Sequence, residues 1–171
     1  MSIFFLDTEF VDDGETIMPI SLALVPLDRQ RRSLYLEFDF DQDKAEAHDF
    51  VRENVLPQLA GQERYSRGQA ASAILSYLGI PGHPAEPKDR PEFWAYYASY
   101  DWVIFCQVFG TLMALPREVP HICFDLQQLW LLHARPAGSA RPPQPHNVHH
   151  ALADAEWNRE FYLAMVGESR A

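Results

Sequence analysis

"IFFLDTEFVDDGE", residues 3–15, is an apolar run that ends on two carboxylates, Asp7 and Glu9, two positions apart. In a strand, side chains at i and i+2 share a face, so these acids project together while Thr8 points the other way. Like charges at that spacing repel unless something neutralises them, and hard carboxylate oxygens suit Mg²⁺ or Mn²⁺. The competing reading is a strand that runs out into an acidic turn, since Asp12, Asp13 and Glu15 follow. The choice turns on whether other acids reach the same place.

Downstream of this strand, "PISLALVPLD" (19–28) and "RSLYLEFDFD" (32–41) are β-rich runs around the polar turn "DRQRR", which reads as a hairpin. "KAEAHDFVRENVLPQL" (44–59) has a helical pattern closed or kinked by Pro57. In the next helix Ser66 and Gln69 have capping-box spacing, Ala70, Ile74, Tyr77 and Leu78 form the apolar stripe, and Gly79 is the stop. After a Pro-rich connector (81–91), "EFWAYYA" (92–98) reads as a short buried strand. "SYDWVIFCQVFG" (99–110) then reads as a helix with Ser99 as N-cap and Gly110 as stop. Its stripe, Trp102, Phe105, Cys106 and Phe109, is either core or an interface. "HICFD" (121–125) is a further strand, "LQQLWLLHA" (126–134) a short helix, and 135–147 a Pro/Gly-rich loop. The last element, from about Ala151 to Val166, is a helix with Leu152, Ala155, Tyr162 and Met165 on one side. Three antiparallel strands followed by helices alternating with two more strands imply an α/β fold with a mixed five-stranded sheet flanked by helices.

The chain of 171 residues fits a single domain, 1–171. No run approaches the ~18 apolar residues of a bilayer span, and the N-terminus lacks a signal pattern, so the cytoplasm is the expected location. Cys106 and Cys123 lie in apolar segments without metal spacing and read as reduced core residues. A formal net charge of −10 argues against broad, sequence-indifferent gripping of duplex nucleic acid. It leaves room for a short piece of nucleic acid, held where bound metal ions supply local positive charge. Arg29, Arg31 and Arg32, and again Arg135 and Arg141, read as solvated turn and loop residues.

Two further acids stand out. Asp101 opens the mid-chain helix, where an acid also complements the helix dipole. Asp154 lies inside the last helix beside its core-facing stripe, where an acid adds little to helix propensity. "HNVHHALADAE" places His146, His149 and His150 just before it. They read as a zinc cluster, which no cysteine or HExxH spacing supports, as a general base beside a carboxylate metal site, or as exposed loop residues. Local spacing favours His150 as partner of Asp154, because i and i+4 share a helix face.

Asp7-Thr8-Glu9 on a strand, Asp101 at a helix start, and His149-His150-Ala151-Leu152-Ala153-Asp154 opening a helix together resemble the three motifs of the DEDDh 3′-5′ exonucleases. Within that family "DTEFVDDG", "WAYYASYDWVIFCQVFG", "ALPREVP" and "VHHALADA" are most similar to RNase AS-type exoribonucleases. Many members carry Asn four residues before the mid-chain Asp; here that position is Tyr97.

The resemblance implies an RNase H-like fold and hydrolysis of RNA from its 3′ end to nucleoside 5′-monophosphates. Asp7, Glu9, Asp101 and Asp154 would hold two Mg²⁺ or Mn²⁺ ions. His149, lying just outside the helix, would be the general base in place of His150. Thr8, Glu9 and Phe10 would meet the terminal nucleotide, Phe10 by stacking unless it is core. A preference for adenylate-rich RNA, a homodimer, and a single-stranded 3′ end as partner are implied in the same way. The alternatives are a DNA-directed exonuclease of proofreading or repair type, and a non-catalytic nucleic-acid-binding module of the same fold.

Overall fold

The computed structural model describes residues 2–80, 90–133 and 141–167. The connector 81–89 and Arg135 lie outside them. Strands β1 (Ile3–Asp12), β2 (Ile17–Pro26) and β3 (Leu34–Phe38) form the antiparallel start. They are followed by helix α1 (Gln42–Ala47), a π-helical turn (Val51–Val55), a 3₁₀ turn (Leu56–Gln58), β4 (Arg64–Tyr65) and α2 (Arg67–Leu78). Then come β5 (Glu92–Ala95), α3 (Ser99–Val108), β6 (Phe124–Asp125), α4 (Leu126–His133) and α5 (Ala151–Val166). The sheet order is β4-β3-β2-β1-β5-β6. The sheet is mixed, with β5 parallel to β1, β6 parallel to β5 and β4 parallel to β3.

The alternation of β1 divides the core. Phe4 and Leu6 pack under α2 and α3 with Ile74, Phe93 and Phe105. Phe5 packs on the other face under α4 and α5 with Ala151, Ala155, Phe161 and Tyr162. Beyond Glu9 the register shifts: Glu9 pairs with Ser21 but Phe10 with Pro19, so Ile20 is an extra residue in β2. Proline cannot donate to the ladder, and a bulge is one of the few places where an inner strand accepts it. Past the bulge, Val11 and Ile20 join Phe40, Ala45, Val51 and Val55 in a third, smaller cluster.

Several sequence expectations change. Among the described residues the sheet has six strands, not five; the additional one, β4, is only two residues long and so shows no periodicity. The helix expected over 44–59 is broken at His48, whose backbone turns extended and whose Nδ1 accepts from Val51 N–H at 3.5 Å. Asp41 caps the first piece, accepting from Lys44 N–H at 3.0 Å. Ser99 is not the cap of α3 but its first residue. The cap position is Ala98, without side-chain capping, and its N–H donates to Asp125 Oδ2 at 2.8 Å. Phe105 is core, with Trp102 and Phe109 packed against the same cluster, so the mid-chain stripe is interior. In α2 the Ser66–Gln69 capping box and the left-handed Gly79 form as expected. Cys106 and Cys123 are both free thiols.

Candidate active site

Asp7, Thr8, Glu9 and Phe10 from β1, Asp101 from α3, and His149 and Asp154 at the head of α5 line one cavity of about 410 Å³. The fold brings them together for simple reasons. Asp7 and Glu9 follow Phe5 on the α5 face of β1, opposite the residue that comes one turn into that helix. Asn158, one turn beyond Asp154, is buried and donates from Nδ2 to the Leu6 carbonyl at 3.1 Å, tying α5 to the residue before Asp7. Thr8 points to the other face, where its hydroxyl donates to Asp101 Oδ1 at 2.7 Å. The Thr8 side chain is thereby committed to orienting Asp101, and any contact it makes with a nucleotide falls to its backbone.

The histidines separate. His149 sits outside α5 in a left-handed conformation, φ 71°, which His tolerates better than most residues. Its N–H donates to Asp154 Oδ2 at 2.7 Å, so the acid fixes the main chain of the residue before the N-cap. His150 is that N-cap; its ring turns away and stacks on Tyr35 at 4.8 Å. His146 is exposed on the preceding loop. Among the described residues the group with metal-ligand spacing is Glu9, His149 and Asp154, whose ligand atoms lie within 4.8 Å of one another.

The carboxylates share a hostile environment. Burial, then the charges of Asp101, Glu9 and Asp154, hold the Asp7 carboxyl well above the ordinary carboxylate range. Burial and the charges of Asp154 and Asp101 push Glu9 up to about 8. Burial raises Asp101 to about 7 against the opposing hydrogen bonds from Thr8. Asp154 is raised by burial too, the His149 N–H opposing it. Four desolvated, mutually repelling acids are stable as anions only beside compensating positive charge. Four carboxylates offer hard oxygen donors, which fit a hard divalent cation.

Phe10 is half-buried in the cavity wall and stacks flat on Tyr100, centroids 5.3 Å apart and planes 9° apart. Tyr96, Tyr97 and Trp157 continue an aromatic wall that motif reasoning missed. Tyr97 is left-handed, φ 56°, the conformation that Asn adopts more readily. The only sequence signal for this wall is the aromatic density of 96–102, and for Asn158 its i+4 spacing from Asp154.

A family model for the Rv2179c-like domain, described as a 3′-5′ exoribonuclease domain, matches residues 2–166. The chain is 39% identical over 156 residues to 3′-5′ exoribonuclease Rv2179c of Mycobacterium tuberculosis H37Rv, covering 89% of this chain and 86% of the relative. The same figures hold for exoribonuclease MT2234.1 of strain CDC 1551. In fold it resembles the zinc-bound ExoI–ssDNA complex of E. coli, with TM-score 0.59 and 15% identity over 99% of this chain. It spans only 41% of that chain. A full-length 3′-exonuclease matches with TM-score 0.53 and 14% identity, covering 98% of this chain and 82% of the other. The architecture is thus the RNase H-like one of these exonucleases, and the chain belongs to the Rv2179c-like 3′-5′ exoribonuclease family.

Proposed function

We propose that this protein removes nucleoside 5′-monophosphates from the 3′ end of single-stranded RNA, in a reaction dependent on divalent metal. The observation that carries this reading is the convergence of Asp7, Glu9, Asp101 and Asp154 on one cavity with their proton affinities raised together. These four residues would hold two Mg²⁺ or Mn²⁺ ions. When bound, such ions lower the pKa of a coordinated water and offset charge developing on the phosphate.

The chain's own groups do the rest. A ring nitrogen of His149 accepts the proton of the attacking water, the general-base role to which an imidazole lends itself. Water oxygen bonds to phosphorus, the bond to the 3′ oxygen of the preceding nucleotide breaks, and that oxygen takes up a proton. Thr8 holds Asp101 in register, and Asp154 anchors the main chain of His149. Phe10, braced by Tyr100, offers the terminal base a stacking face. Selection of RNA needs a contact to the 2′-hydroxyl, which we assign to Glu9. A preference for adenylate-rich RNA follows from the family resemblance alone.

The site of action proposed is the cytoplasm; no helix among the described residues is long and apolar enough to cross a membrane. The assembly proposed is a homodimer, supported by the exposed apolar side chains Met113, Ile122 and Leu132. Sedimentation velocity checks this, and a monomer at micromolar concentration removes it.

Labelled oligonucleotides test the function. With Mg²⁺ or Mn²⁺, 5′-labelled RNA should shorten in single-nucleotide steps and 3′-labelled RNA should release labelled monophosphate at once. EDTA should stop both. Faster loss of DNA would favour a DNA-directed exonuclease, and no digestion with any metal would leave a binding module.

A further inference from the structure

We propose that Phe50 is a positioning residue that fixes the imidazole of His149 against the acidic cluster. The inference rests on the reading of His149 as the general base. Phe50 stands at the head of the π-helical turn, where the chain restarts after the break at His48. Single π-helical turns are uncommon and concentrate at functional sites. Phe50 is 48% exposed, yet its ring meets the His149 ring edge-to-face, with centroids 4.9 Å apart and planes at 80°. That geometry is attractive beyond simple area burial.

His149 needs such a partner. Its hydrogen bond among the described residues is from its main chain to Asp154, which sets the backbone and leaves both side-chain torsions to packing. His149 lies where two cavities meet. On one side lies the acid-lined cavity, and on the other a second cavity of about 300 Å³ lined by His48, Phe50, Val51 and Val55. Glu9, Phe10 and His149 border both. Without the Phe50 ring the imidazole is free to rotate into the second cavity, away from Glu9 and Asp154. A base acts only within hydrogen-bond reach of its proton, and a displacement of about 1 Å costs on the order of 10²-fold in rate.

The test compares Phe50→Ala, Phe50→Trp, His149→Ala and the F50A/H149A double variant on a single-stranded RNA with saturating Mg²⁺. Phe50→Ala should lower kcat by about ten- to a hundredfold with KM changed by less than about twofold. Phe50→Trp should restore most of the rate. In the His149→Ala background, Phe50→Ala should bring no further loss, since both act on the same step. The His149 Cε1–Hε1 resonance should move in Phe50→Ala, and Phe50→Leu replaces it in both readouts should the alanine variant fail to fold.

Wild-type kcat in Phe50→Ala overturns the inference. So does a rise in KM at unchanged kcat, which would make Phe50 an RNA contact, and so does an equal loss in the His149→Ala background. Full activity of His149→Ala overturns the reading of the site, and the role of Phe50 with it. An inactive His149→Ala beside a fully active Phe50→Ala overturns the Phe50 inference alone.

Discussion

Replacing Asp7 by Asn is expected to slow RNA hydrolysis by about 10³-fold or more while the protein stays folded. Asp7 stands in β1 with its side chain in the acid-lined cavity, and Asn has nearly the same shape. The strand position itself is held by the Asn158 bond to the Leu6 carbonyl, which the substitution leaves alone. What is lost is one anionic oxygen from the set proposed to hold cations. Bound metal supplies several kcal/mol to the transition state, and each ~1.36 kcal/mol is a factor of ten, so losing it reaches about 10³-fold. Asp154→Asn should lose a similar factor, since its amide oxygen can still accept the His149 N–H but carries no charge. Initial rates on end-labelled RNA read both. A rate within tenfold of wild type in either variant contradicts the assignment.

The same acids set an unusual pH dependence of stability. Without metal, the protein should lose stability as pH rises from about 4 to 8, the reverse of most proteins at their acidic limb. Asp7, Glu9, Asp101 and Asp154 all have raised proton affinity when folded, Glu9 reaching about 8 and Asp101 about 7. A group whose folded pKa exceeds its unfolded one binds more protons in the folded state, so stability falls with pH between the two values. For Glu9 the window opens near the unfolded value of about 4 and closes near 8, and for Asp101 it closes near 7. Asp125 adds charge near Asp101, and His149 opposes the rise at Asp154.

If even half of the shift at Glu9 survives relaxation, the loss is of the order of 2 kcal/mol. For a chain of this length that is roughly 4–8 °C in Tm. Divalent metal should reverse it, with a Tm gain larger at pH 8 than at pH 5.5. Asp7→Asn, which removes a repelling charge, should raise the Tm in EDTA at pH 8 while abolishing activity. Thermal unfolding at the two pH values, in EDTA and in Mn²⁺, measures all of this; a metal-free Tm that rises between pH 5.5 and 8 contradicts it.

Legibility differs from residue to residue. Asp7 and Glu9 are readable because strand alternation is rigid: two acids at i and i+2 after an apolar run must share a face. Asp154 is readable because an acid beside a core-facing stripe has no propensity reason to be there. Which of His149 and His150 lines the cavity is not readable from helical spacing, which favours His150, the ring that turns away. The chain enters α5 through a left-handed His149, and His150 is turned onto Tyr35 by packing that links residues far apart in sequence. The pairing of Thr8 with Asp101 spans 93 positions and has no local signature. Phe50 looks like one apolar residue of an amphipathic helix until the break at His48 changes where it points. β4 escapes notice because two residues carry no period, and Ser99 looks like a cap because nothing local reveals that Asp125 holds the preceding turn.

Asp7, Glu9, Asp101 and Asp154 are expected to hold divalent ions together. Anomalous diffraction from crystals soaked in Mn²⁺ and a nucleoside 5′-monophosphate can show this. Two manganese peaks bounded by these four carboxylates, with the phosphate against them, are the predicted result. A fully soaked crystal with no manganese in this cavity, or with manganese held elsewhere on the chain, would contradict it.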